Sequence, residues 1–176
     1  LTGPELQRLA GLLKLNEVGL CALAKGCYPL PQCPGLPFSL RALHMPHGVG
    51  VANAYLIATG NEGAGILFDT GSTLDALLTD WPASIRRVDA VFLTHVEEEH
   101  TGALCDVVDY FGIPKAYVPA GCRAPCRRSL TEQQTFDWEN LEVTAYSTPG
   151  HAAAHNGYRI RVKTATPAMG EVLIAE

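Results

Sequence analysis

The stretch that most constrains this chain is Thr94-His95-Val96-Glu97-Glu98-Glu99-His100-Thr101-Gly102. His95 and His100 are five residues apart. On an α-helix that spacing turns through about 140°, and on a strand it puts the two rings on opposite faces. Neither regular element aims both rings at one point, whereas a loop wrapped around cations does. The segment before it, Val88 to Leu93, is apolar and partly β-branched and reads as a buried strand. The segment after it, Gly102 to Phe111, carries Ala103, Leu104, Val107, Val108 and Phe111 at helical spacing. The acidic and imidazole side chains therefore sit on a strand-to-helix turn, where α/β folds place their chemistry. The same acidic run also suits the solvated first turn of a helix, which needs no metal.

Two other stretches tip the balance toward metal binding. Val49 to Gly71 reads as two apolar strands around a Gly/Asn turn, and the second strand ends in Asp69-Thr70-Gly71. Leu141 to Tyr146 reads as a strand, followed by the turn Thr148-Pro149-Gly150-His151. Each is weak alone; their order and spacing are jointly specific.

Those residues resemble the metallo-β-lactamase superfamily over roughly residues 42 to 176. The matching stretches are Asn53-Ala54-Tyr55-Leu56-Ile57, Leu67-Phe68-Asp69-Thr70-Gly71, Thr94 to Gly102 and Thr148 to His151. The resemblance implies an α/β fold, a four-layer αββα sandwich with its site on the rim between two sheets. It also implies a longer domain, so the sequence is read as truncated at its C-terminus. Glu97 stands where most hydrolases of the family carry a second histidine, and Glu99 where they carry aspartate. Glu97 is similar to the loop of flavodiiron proteins; the Thr-Pro-Gly-His turn is similar to the hydrolase branch.

What the resemblance implies for each residue is as follows. His95, Glu97 and His151 hold a first ion; Glu99 and His100 hold a second; Glu176, after the strand Glu171 to Ala175, bridges both. Asp69 accepts hydrogen bonds that orient the loop. Glu98 faces solvent. His155 lies beside the site without binding metal. Glu99 doubles as the catalytic group that orients the nucleophile or accepts its proton. His44 and His47 are expected at the surface, before the first core strand.

A site of three imidazoles and three carboxylates is oxygen-rich, which shifts weight toward iron or manganese without excluding zinc. Two divalent ions would also neutralise carboxylates that otherwise repel one another, so the metal-free chain is expected to be the less stable form. As a hydrolase, such a site activates water against an ester, thiolester, lactam or phosphodiester of a small molecule. As a flavodiiron-like oxidoreductase, a di-iron pair would reduce O₂ or NO with electrons from a flavin domain. No flavodoxin-like segment and no G-x-G-x-x-G fingerprint accompanies it here. A non-catalytic metal-binding relative is the third reading.

The formal net charge of −5 argues against a general nucleic-acid surface. Arg123, Arg127 and Arg128 lack interleaved aromatics and read as a solvated loop. Residues 1–37 read as an N-terminal helix and a Pro-rich linker, and residues 38–176 as the incomplete metal-binding domain. Thr2-Gly3-Pro4-Glu5 has the spacing of a capping box, and Leu6, Leu9, Leu12, Leu13 and Leu15 follow at helical spacing. That helix is too short to span a membrane. None of the six cysteines forms a C-x-x-C pair, and Cys105 reads as a buried small hydrophobe. With no secretion signal in view, reduced thiols and a cytoplasmic location are expected. An incomplete second sheet would expose an edge and favour self-association into a homo-oligomer.

Overall fold

The computed structural model describes residues 1–26, 35–60, 63–122, 128–163 and 171–174. They fall into two compact units, Leu1–Pro34 and Gly35–Glu176.

The first unit holds α1 (Gly3–Leu13) and α2 (Glu17–Ala24), packed on each other. The Thr2 backbone N–H donates to Glu5 Oε2 at 2.7 Å, satisfying one of the orphan groups of the α1 N-terminus. Where the sequence suggests one helix there are two. Lys14 adopts a left-handed conformation (φ 54°) that ends α1, and the Asn16 side chain then accepts from Gly19 N–H at 2.7 Å to start α2.

The second unit contains two sheets. In the first, β2 (Gly50–Ala58) pairs antiparallel with both β1 (Ser39–His47) and β3 (Ala64–Phe68). There β4 (Arg87–Phe92), β5 (Ala116–Val118) and β6 (Arg128–Ser129) continue in parallel. The spatial order is β1-β2-β3-β4-β5-β6. The second sheet is antiparallel, in the order β10-β9-β8-β7, from β7 (Thr135–Trp138), β8 (Leu141–Ser147), β9 (Asn156–Val162) and β10 (Glu171–Ile174). Short helices α3 (Leu74–Thr79), α4 (Glu98–Thr101) and α5 (Leu104–Phe111) follow β3 and β4.

Strand periodicity divides the core in two. Ile66, Phe68 and Phe92 of the first sheet face Val143, Tyr158 and Ile160 of the second. Phe92 stacks on Phe68 and Tyr117 with centroids 5.2 and 5.0 Å apart, and Tyr158 packs against it at 5.5 Å. Leu43, Met45, Leu67, Val91 and Leu93 point the other way, onto Leu77 of α3 and Leu104 and Val107 of α5. Burying each of these large side chains contributes about 1.5–3 kcal/mol before entropy is counted. Helix, sheet and sheet are thus three layers of an αββα arrangement among the described residues.

Three expectations need correction. His44 and His47 do not precede the first core strand; they lie on β1, paired with Asn53 and Gly50. The helix expected from Gly102 to Phe111 starts only at Leu104, as α5, and a separate four-residue helix, α4, precedes Gly102. Cys105 is exposed, because α5 turns Leu104 and Val107 inward and Cys105 outward. Among the described residues Cys21 and Cys122 carry free thiols, and burial raises the Cys122 thiol above its usual pKa. Cys27, Cys33 and Cys126 lie outside the described residues. No helix among the described residues is long and apolar enough to cross a membrane.

Candidate metal centre

Asp69 follows β3 in a left-handed conformation (φ 59°), one that aspartate tolerates better than most residues. Its side chain is fully buried and accepts from Thr94 N–H at 2.8 Å, from Thr94 Oγ1–H at 2.7 Å and from His100 Nδ1 at 3.2 Å. Thr70 donates its N–H and its hydroxyl to the His100 carbonyl, at 2.8 and 2.9 Å. The turn after β3 therefore holds both ends of the acidic loop.

This network fixes the imidazole tautomers. A threonine hydroxyl has one proton, and Thr94 gives it to Asp69. The 2.9 Å contact between Thr94 Oγ1 and His95 Nδ1 then has the ring N–H donating to oxygen. Nε2 of His95 is left with a lone pair, and His100 donates its Nδ1–H to the Asp69 carboxylate. Burial, then the neighbouring His100, holds the His95 pKa below its ordinary value, against the opposing pull of Asp69 and Glu97. His95 is accordingly a neutral nitrogen donor at neutral pH.

The buried Nε2 of His95 has no hydrogen-bond partner among the described residues. It lies 3.8 Å from Glu97 Oε2, which in turn lies 3.4 Å from His151 Nε2. The donor atoms of His95, Glu97 and His151 all fall within 4.8 Å of one another. These separations suit an ion with bonds of about 2.0–2.2 Å, and a partnerless buried nitrogen lone pair beside a carboxylate is the donor chemistry a divalent cation needs. Glu97 and His151 are exposed at the mouth, so the ion's position is open to solvent on one side.

His95 is the hub of an imidazole cluster, with ring centroids of His100, His151 and His155 at 4.2, 5.0 and 5.3 Å. His155 is buried, and its Nδ1 lies 2.7 Å from Thr148 Oγ1. Thr148 N–H also donates to the His155 carbonyl at 2.9 Å, which closes the turn that presents His151. This turn is tied to the acidic loop across the two sheets. Asn156 N–H donates to the Thr94 carbonyl at 2.7 Å and the Tyr158 hydroxyl to the Leu93 carbonyl at 2.6 Å. Burial raises the Tyr158 pKa far above its usual value, so the hydroxyl stays a donor.

Glu99 and His100 line a cleft of about 370 Å³ together with His95, His151 and His47. Val51 and Ala52 of β2 form its apolar wall. Hydrogen bonding to its own backbone N–H, then the charges of His47, His100 and His95, lower the Glu99 pKa and keep it ionised. Among the described residues no second trio of donors closes around Glu99 and His100 as it does around His95. Glu98 is exposed. Glu176, expected to bridge two ions, lies outside the described residues, as do Arg123 and Arg127; Arg128 is exposed on β6.

His47 is the cleft residue that sequence reasoning missed. Its signal was strand alternation, which puts it on the face of Leu43 and Met45 rather than that of His44.

Residues 47–164 match the family model described as the metallo-beta-lactamase superfamily. Thioesterase pkgB of Emericella nidulans is 31% identical over 111 residues, covering 58% of this chain and 30% of that protein. The atrochrysone carboxyl ACP thioesterase of Passalora fulva is 28% identical over 141 residues, covering 72% of this chain and 40% of that protein. The chain thus spans between 30% and 40% of the length of these curated relatives. Among solved structures, a beta-lactamase from Chitinophaga pinensis superposes with a TM-score of 0.58 at 17% identity, covering 80% of this chain and 60% of that one.

Proposed function

The chain belongs to the metallo-beta-lactamase superfamily, and from that footing we propose that it is a metal-dependent hydrolase of acyl bonds, with a thiolester as substrate. The observation that carries this reading is the convergence of His95 Nε2, Glu97 and His151 at the mouth of the cleft. The thioesterase names of two relatives favour the thiolester among the acyl bonds. His95, Glu97 and His151 would hold a first divalent ion, zinc or iron, and Glu99 and His100 would face a second. Bound ions of this kind bring the pKa of water toward neutrality and polarise a carbonyl.

The protein's own residues supply the rest. Asp69 holds the His100 ring directly and the His95 ring through Thr94, which leaves the His95 Nε2 lone pair toward Glu97. Glu99, ionised and facing the cleft, accepts a proton at a carboxylate oxygen as water attacks, and can return it to the departing thiolate sulfur. Val51 and Ala52 give the cleft one apolar side opposite its imidazoles and carboxylate.

The test has two parts. The chain loaded with Zn²⁺, Fe²⁺ or Mn²⁺ should retain at least one equivalent after dialysis, melt higher than its chelator-stripped form and cleave acyl-CoA or acyl-cysteamine thiolesters. Glu97→Gln, at an exposed position, should leave the metal-free melting temperature unchanged while weakening retention. Thiolester cleavage unaffected by stripping, or no retained ion, would overturn the reading.

A further inference from the structure

His47 enters neither the roles implied by the family resemblance nor the donor trio at the cleft mouth, yet three observations place it in the chemistry of the cleft. Alternation along β1 turns it inward with Leu43 and Met45, which are fully buried. Its Nδ1 lies 2.8 Å from Ser72 Oγ, in the same turn after β3 that carries Asp69, so the ring is held rather than free to rotate. Its Nε2 faces Glu99 Oε2 across 4.0 Å.

That last distance is at the outer edge of an ion pair. It is too long for a hydrogen bond, which spans about 2.7–3.2 Å. It is short enough for one ion with bonds of about 2.0–2.2 Å to touch both atoms. In the tautomer whose Nδ1–H donates to the Ser72 oxygen, Nε2 presents a lone pair to the cleft, the arrangement that orients metal-binding histidines elsewhere. His100 lines the same cleft and is tautomerically fixed by Asp69.

We propose that His47 is a nitrogen donor to a second divalent-cation position on the Glu99 side of the cleft. This rests on the metal-dependent reading above and names a ligand for it that the acidic loop alone does not supply. His44, on the opposite face of β1, pairs with Asn53 at 2.8 Å and serves as the control histidine.

The experiment is equilibrium dialysis of the chain against Co²⁺ and Zn²⁺, with metal analysis and the visible absorption of Co²⁺ read at each equivalent. The unaltered chain should take up two ions, the second more weakly. His47→Ala should weaken the second equivalent by about tenfold or more and remove its Co²⁺ absorption increment, leaving the first unchanged. His44→Ala should match the unaltered chain. Glu99→Gln should lose the same equivalent as His47→Ala, with circular dichroism confirming that both variants fold. Uptake of only one ion by the unaltered chain overturns the proposal. So does a second equivalent as tight in His47→Ala as before, which would leave His47 and Glu99 a plain ion pair. Two ions with the expected His47 dependence but no thiolester cleavage would keep this site and remove only the substrate reading.

Discussion

One buried carboxylate, Asp69, orients two imidazoles, His100 directly and His95 through Thr94. Replacing it with asparagine keeps the volume and suits the left-handed backbone. The amide can still accept from Thr94 N–H, but its NH₂ then meets the Thr94 hydroxyl and His100 Nδ1, both of which need an acceptor. We expect Asp69→Asn to lose about 1–3 kcal/mol in urea unfolding of the metal-free chain and about 10–100-fold in Zn²⁺ affinity. Unchanged affinity would remove Asp69 from its orienting role. Asp69 was legible in the sequence only through its neighbours, because an Asp-Thr-Gly turn needs no metal to explain it and a backbone dihedral leaves no mark on residue type. His47 was hidden for a different reason. Pro46 beside it discourages a strand reading, and proline is tolerated here because, among the described residues, β1 is an edge strand.

At the level of elements, the acidic loop depends on a close backbone crossing. A Cβ on Gly102 would stand 2.6 Å from the Ser72 carbonyl oxygen and 2.8 Å from that of Glu98. Both are main-chain atoms and cannot swing aside as a side chain can. Ala103 N–H also donates to the Gly71 carbonyl at 2.9 Å, so the two turns are stitched at this point. Gly102→Ala should therefore cost about 1–3 kcal/mol in urea unfolding, and it should weaken metal retention by displacing His100. A midpoint equal to that of the unaltered chain would show that the crossing is loose. The crossing falls between α4 and α5, where the helix expected from Gly102 starts only at Leu104. Strands β2, β3, β4 and β8 were readable from their apolar runs. Strands β5 and β6, three and two residues long, are too short to show a period. In β9 Tyr158, Ile160 and Val162 point inward and alternate with Arg159 and Arg161, a strand signal that the sequence reading passed over.

Across the whole molecule, the two sheets are joined by polar bonds as well as by the aromatic layer. Asp89 of β4 accepts from Arg87 Nε at 2.7 Å and from Trp138 Nε1 of β7 at 2.9 Å. Burial pushes the Asp89 pKa up, but hydrogen bonds from Arg87 and Trp138, with the charges of Arg87 and Lys115, outweigh it and the net shift is downward. A folded-state pKa below the unfolded value of about 3.9 means stability that is full above that value and is lost as pH falls through the folded one. Asp89→Asn should thus be less stable than the unaltered chain at neutral pH, and the gap should narrow as pH drops from about 5 toward 2. Urea unfolding across that range measures it, and a gap independent of pH would remove the carboxylate's contribution. Sequence alone could suggest two sheets through the family resemblance. It could not show which side chains join them, because the partners Asp89 and Trp138 are 49 positions apart.

The bonds from Asn156 and Tyr158 to the end of β4 have a consequence for assembly. Because side chains alternate along β9, a slip of one residue in its pairing would turn Tyr158 away from the inner layer and pull His151 off Glu97 at the same time. A misaligned hairpin in the second sheet would therefore lose its cation grip together with its packing, so metal retention doubles as a check that this half of the molecule has folded in the right frame.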